Sequence, residues 1–324
     1  MAWTLAELSK IETDVLRKSV IDTMIMESNI LEMCPWETIG QLSTGVVSIQ
    51  DLPSVGFRKI NAGYEESTGH FQHKIEHISL LGGYIDTDKA LARAKNTIAD
   101  ARAIQQQLMI KAMTYEFNDK FINGNPSGSG TSLEFKGLLG RVDDINSDGY
   151  TSQKVQHDVT TVLATDAKMY AFLDAIDQCI YSIKGHKPDY ALMSQRTLLG
   201  LRSLLRRLKL LDTTKDMFDR VVDVYQGVRL IDMGVKADQS TQIITDVETN
   251  AGVTTGSNRS SIYFVKFGMG DMSWGIQQYP IEVEDLGLMT DKPVYRTMVD
   301  WPLGLATVDP RSLVRLYGFQ MTAA

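Results

Sequence analysis

Residues 88–118 read DKALARAKNTIADARAIQQQLMIKAMTYEFN, and the interpretation of that run decides the fold. Asp86, Thr87 and Asp88 offer side-chain oxygens that can cap a helix start. Leu91, Ala94, Ile98, Ala101, Ile104, Leu108, Ala112 and Tyr115 then recur at three- and four-residue steps. No Gly or Pro intervenes before Gly124. At about 1.5 Å per residue the run predicts a helix roughly 45 Å long, well beyond the three turns that globular helices average. No sustained heptad with flanking charges accompanies it, so the spacing predicts a strut whose apolar stripe faces the core.

On the N-terminal side, Thr4-Leu5-Ala6-Glu7 has capping-box spacing, and Leu5, Leu8, Ile11, Val15 and Met24 extend a helical pattern. Residues 5–33 therefore read as a helical arm that Pro35 stops, because the residue before proline is steered out of the α region. Val46, Val47 and Ile49 open an extended stretch, Pro53 and Gly56 punctuate it, and Phe57 to Ile60 resumes it. Residues 61–69, from Asn61 through Gly63, Tyr64, Glu65 and Glu66 to Gly69, form a polar tip, and Phe71 to Leu81 runs back. The segment predicts a long hairpin with little apolar surface of its own. An isolated hairpin is marginal in water, so this one must lean on something else.

On the C-terminal side, Asn123 to Gly130 is a loop by composition, and Phe135-Lys136-Gly137-Leu138-Leu139-Gly140 is an apolar return. Met169, Phe172, Ile176, Cys179, Ile180 and Ile183 mark a helix that Gly185 and Pro188 end. A strand is expected at Tyr190 to Met193 and a helix at 195–210. Further strands are expected near 228–233, 243–247, 261–267, 272–278, 281–285, 294–300 and 312–319, with an exposed loop inside Gly234 to Ser260. Mixed helices and strands in one block make the fold class α+β.

The chain has 324 residues with 33 basic and 40 acidic side chains, a net charge of −7. That balance opposes general phosphate-backbone binding. Two cysteines, Cys34 and Cys179, cannot build a disulfide framework or a Cys-only zinc site. Glu7, Lys10, Glu12 and Asp14 stand where a signal peptide needs an apolar core, and no run reaches membrane-span length. The expectation is a soluble protein of a reducing compartment, with no membrane partner.

Catalytic motifs fail on inspection. The P-loop, zincin and nucleophile-elbow patterns are absent, and Gly268-Met269-Gly270 lacks the third glycine of a dinucleotide loop, with Ser273 in its place. His70, His73 and His77 would share a face on a helix, but in a strand His70 points away from the other two, which opposes a metal site. Arg196, Arg202, Arg206, Arg207 and Lys209 alternate with leucines. They read as the polar face of an amphipathic helix, solvated or paired with acids of a neighbouring subunit, rather than as a nucleic-acid contact. Asp143-Asp144 and the Glu282/Glu284 pair have no catalytic partner in sequence. No catalytic residue, cofactor or metal is expected.

The order of these parts resembles the major capsid proteins of tailed bacteriophages, whose capsid fold encapsulins share. Four stretches carry the resemblance. They are Phe121-Ile122-Asn123-Gly124 with Phe135-Lys136-Gly137-Leu138-Leu139; Tyr225 to Asp232 (YQGVRLID); Ser261 to Gly268 (SIYFVKFG); and Leu303 to Val314 (LGLATVDPRSLV). The resemblance implies an N-arm (1–45), an E-loop hairpin (46–84), a P-domain with a spine helix (85–150), an A-domain (151–290) and C-terminal strands (291–324) returning towards the P-domain. It implies pentamers and hexamers closing an icosahedral shell, assembled in the host cytoplasm and carried in the virion. Packaged double-stranded DNA would be enclosed but weakly contacted. Neighbouring subunits would meet through the E-loop tip, at Asn61, Gly63, Tyr64, Glu65, Glu66 and Gly69. A portal, possible decoration proteins and a separate scaffolding protein are the implied partners, the last because the arm from Met1 is too short to scaffold. Some members weld subunits by a Lys–Asn isopeptide bond. Lys59 and Lys74 lie in the hairpin, but Pro293 falls near the partner position, so no such weld is expected. An encapsulin-type nanocompartment shell is the alternative, and an unrecognised α+β enzyme is the reading from another class.

Overall fold

The computed structural model describes all residues except 1–2, 5–23, 25–27, 93–100, 127–132, 160, 186, 211, 216–220, 249–258 and 322–324. Most of the expected helical arm lies outside the described residues. Within them, Thr4 belongs to a short strand, β1 (Trp3–Thr4), and helix α1 (Asn29–Met33) ends at Cys34, one residue before Pro35.

Three sheets organise the chain. The first has order β1, β2 (Pro35–Thr38), β12 (Ser273–Gln277), β14 (Val294–Thr307), β13 (Glu282–Leu288), with β5 (Ser79–Asp88) also paired to β14. The register between β14 and β5 runs from Val294 opposite Asp88 to Leu303 opposite Ser79. The second sheet has order β6 (Lys154–Gln156), β15 (Leu313–Phe319), β11 (Ser260–Val265), β7 (Tyr190–Met193), β10 (Val228–Asp232), β9 (Val221–Tyr225), β8 (Asp212–Lys215). The third is a two-stranded antiparallel ribbon of β3 (Ser43–Asp51) and β4 (His70–His77).

The central strands of the second sheet are buried on both faces, and their alternation sorts side chains between two cores. Leu192, Tyr263, Val265 and Leu313 point into a large core shared with the first sheet, α1, α3 (Ala101–Asn123) and α4 (Leu138–Ser147). Ala191, Met193, Ile262, Phe264, Val314 and Leu316 point the other way, onto α5 (Asp166–Ser182) and α6 (Gln195–Arg207). Each of these two helices starts at a side-chain cap. Thr165 accepts from the Lys168 amide and Ser194 from the Thr197 amide. The centre of the large core is aromatic: the Trp301 ring lies 5.0 Å from Trp36 and 5.5 Å from Phe117.

Helix occupies both described parts of the expected run. Residues 86–88 end strand β5, and Asp88 also caps the short helix α2 (Lys89–Ala92) that follows. Asp88 accepts a hydrogen bond from the Ala90 amide there. Residues 93–100 lie outside the described residues, and α3 then runs from 101 to 123, about 35 Å at the usual rise. The expected core stripe is also corrected. Ile104 and Leu108 are exposed, and the buried stripe is Ile110, Met113, Phe117 and Phe121, on the opposite side of the helix. The larger, aromatic set removes more apolar area from water and decides which face turns inward.

Other expectations need correction. The apolar return at Phe135 to Gly140 leads into a helix, Leu138–Ser147, that the expectation did not include. Phe57 to Ile60 forms no strand, because pairing stops at Asp51 and resumes at His70. Residues 243–247 form no strand; Ile243 and Ile244 are buried beside a single bridge between Val235 and Gln242.

Candidate assembly surface

The ribbon and the loop between its strands stand apart from both cores. The ribbon's base is held by charge. Arg141, on buried α4, donates to both carboxylate oxygens of Glu76 on β4, at 2.6 and 2.8 Å. It also donates to the Leu305 carbonyl at 2.5 Å and to the Lys136 carbonyl at 3.0 Å. Lys74 pairs with Asp148 at 2.7 Å beyond it. These contacts fix where the ribbon leaves the body.

Alternation divides the ribbon into two faces. Val46 and Ser48 are buried, while Val47 and Ile49 lie on the ribbon's other face with Phe71 and Ile75 of β4 and are exposed. Beyond the strands, Val55, Phe57 and Ile60 are 95%, 110% and 93% exposed, as open as in an extended peptide. The expectation of little apolar surface is therefore corrected: the apolar side chains are present, and this chain does not cover them. Of the 24 exposed large hydrophobic side chains among the described residues, 12 fall between Leu42 and Tyr84. A patch this concentrated marks an interaction surface.

The tip residues expected to meet a neighbour, Asn61, Gly63, Tyr64, Glu65, Glu66 and Gly69, all lie in this loop, and all but the half-buried Gly69 are exposed. Local bonds shape it. The Ala62 amide donates to the Lys59 carbonyl at 3.1 Å, closing a turn with Asn61 in the left-handed region at φ 65°. Asparagine tolerates that conformation better than other side chains with a Cβ. Arg58 stacks over the Tyr64 ring at 5.2 Å and donates to the Ala62 carbonyl at 3.2 Å. Beneath the ribbon, Val47, Ile49 and Leu52 face Tyr150, Val308, Pro310 and Arg311 across an open groove of about 620 Å³.

The structure separates the remaining candidates for chemistry. His70, His73 and His77 sit on β4 as a strand, and no group of three or more His, Cys, Asp or Glu converges among the described residues. Asp143 pairs with Lys154 and Asp144 with Lys136, so the two carboxylates do not work on a common centre. Gly268-Met269-Gly270 leads into strand β12 rather than a helix. Cys34 and Cys179 are buried, and burial pushes both thiols up to about 12, away from reactivity. Arg202 of the basic helix pairs with Asp223 at 3.0 Å, and Arg207 donates to the Leu163 carbonyl at 3.2 Å. No helix among the described residues is long and apolar enough to cross a membrane.

A strut helix, a projecting ribbon rooted on α4 and a sheet-and-helix lobe together form the capsid fold of tailed-phage shells and encapsulins. Solved structures agree. The SrpI encapsulin of Synechococcus elongatus superposes with a TM-score of 0.61 at 15% identity, over 90% of this chain and 88% of that one. The capsid of a native GTA particle gives 0.58 at 14%, over 92% and 91%, and the Mycobacterium phage Bobi structure gives 0.58 at 11%, over 89% of each chain. In sequence, residues 13–165 match the family described as major capsid protein GP7, just under half of the chain. No curated protein sequence matches it. The chain thus shares the fold of these shell-forming proteins.

Proposed function

We propose that this chain is the major capsid protein of a tailed-phage-type particle, assembling as pentamers and hexamers into an icosahedral shell around double-stranded DNA. The observation that carries the reading is the uncovered apolar ribbon and loop, 43–77, anchored by the Arg141–Glu76 fork. Surface of that kind is stable only when a second subunit covers it. In this reading residues 1–45 are the N-arm, 46–84 the E-loop, 85–150 the P-domain, 151–290 the A-domain, and 291–324 the closing strands. Asn61, Gly63, Tyr64, Glu65, Glu66 and Gly69 touch the neighbouring subunit. The net charge of −7 favours a genome enclosed but weakly held. A scaffolding protein, a portal and a decoration protein are the further partners, with assembly in the host cytoplasm.

A cargo-enclosing nanocompartment is the second reading, favoured by the likeness to an encapsulin; the match to major capsid protein GP7 weighs against it. Deleting residues 61–69 tests the first reading. The shortened chain should fold and remain as capsomers or monomers that do not close shells. Normal shells from the deletion contradict the assigned role of the tip.

A further inference from the structure

Helices α5 and α6 cover the same face of the second sheet and turn chemically opposite faces to solvent. Burial of Met169, Phe172, Ile176 and Cys179 leaves Asp166, Tyr170, Asp174 and Tyr181 on one outward stripe of α5. Tyr170 is 56% exposed and Tyr181 62%. In α6, burial of Leu201, Leu204 and Leu205 leaves Leu199, Arg206 and Arg207 outward, with Leu199 56% exposed. Among the described residues, neither the Asp166 carboxylate nor the Arg206 guanidinium has a hydrogen-bond or ion-pair partner.

Each stripe carries what the other lacks. The α5 stripe spans about 23 Å and combines carboxylates with tyrosine rings; the α6 stripe spans about 12 Å and combines guanidinium groups with a leucine. Arginine pairs with carboxylates and stacks on aromatic faces, and tyrosine and arginine are the residues most enriched where proteins meet. We infer that the α6 stripe of one copy seats against the α5 stripe of a second copy, a contact separate from the ribbon. The inference rests on the shell reading only in requiring that copies of this chain meet.

Charge exchange tests it. The variants R206E/R207E and D166R/D174R are compared with wild type and with the four-substitution chain that carries both pairs, by sedimentation velocity across a salt series. All four positions are at the surface, and circular dichroism melts establish that each variant folds. If one pair fails to fold, R206Q/R207Q or D166N/D174N replaces it. Each pair alone should weaken association at least 100-fold, and the four-substitution chain should recover most of that loss. Variants that associate like wild type, or a four-substitution chain no better than the weaker pair, overturn the contact. Wild-type protein that never associates contradicts the shell reading instead, so the two failures are distinguishable.

Discussion

Replacing Glu76 with glutamine should loosen the ribbon at its root. The Arg141 side chain is 6% exposed and that of Glu76 14%, so the pair is largely withdrawn from water. Glutamine keeps the size but offers one acceptor oxygen in place of two and removes the countercharge. Breaking a buried ion pair from one side costs about 3–5 kcal/mol, because the remaining charge stays buried. Here the Leu305 and Lys136 carbonyls still accept from the guanidinium. The expected cost is therefore at the lower end, about 3 kcal/mol. Replacing both residues by methionine should cost much less, within about 1 kcal/mol of wild type, since no orphaned charge remains. The assay is urea denaturation of the unassembled subunit for wild type, Glu76→Gln, and the cycle of Glu76→Met, Arg141→Met and the double methionine variant. A coupling below about 0.5 kcal/mol, within the range of independent sites, means that the fork does not hold the ribbon.

Proline at Ala112, an exposed position midway along α3, should cost about 3 kcal/mol or more by removing an interior hydrogen bond, checked by thermal melting. Unchanged stability would show that the helix is broken there. Trp301→Ala should cost about 3–5 kcal/mol in the same assay, because it empties the space between Trp36 and Phe117. Acid should destabilise the subunit: the hydrogen bond from Arg296 holds Asp86 below its ordinary value, and Arg311 and Lys184 outweigh burial to hold Asp309 low. Depressed carboxylates contribute fully above about pH 4, and that contribution is lost as pH falls through their folded values; D86N should flatten this acid limb of a pH–melting series. Boiled in detergent, assembled particles should give a single band near 36.1 kDa, since Pro293 stands near the expected crosslink partner. A covalent ladder would contradict that.

Much of the fold was legible because its elements carry strong local signals. The strand at Tyr190–Met193 lies between Pro188 and the Ser194 cap, and the α5 helix repeats apolar residues on one face. Where the sequence misled, a tertiary contact decided. Of the three cap candidates only Asp88 caps a helix; Asp86 and Thr87 are drawn into β5 because β14 offers a pairing edge, and Arg296 locks Asp86 with two 2.6 Å hydrogen bonds. Helix α4 was hidden because Gly137 and Gly140 bracket its first turn; Gly137 is its N-cap. In α3 two apolar stripes competed, and periodicity alone cannot say which one the core takes. The hairpin was legible as a hairpin. Its surface was misjudged because Val55, Phe57 and Ile60 are scattered among polar neighbours in sequence and only the geometry shows them uncovered together.

The central claim is that this chain builds a closed shell, and electron micrographs of the purified, expressed protein, with enclosed nucleic acid assayed on the same particles, test it most directly. The account predicts uniform icosahedral shells, holding DNA when made with the packaging partners of a phage. A small oligomer that never closes under conditions where the subunit is folded would contradict it.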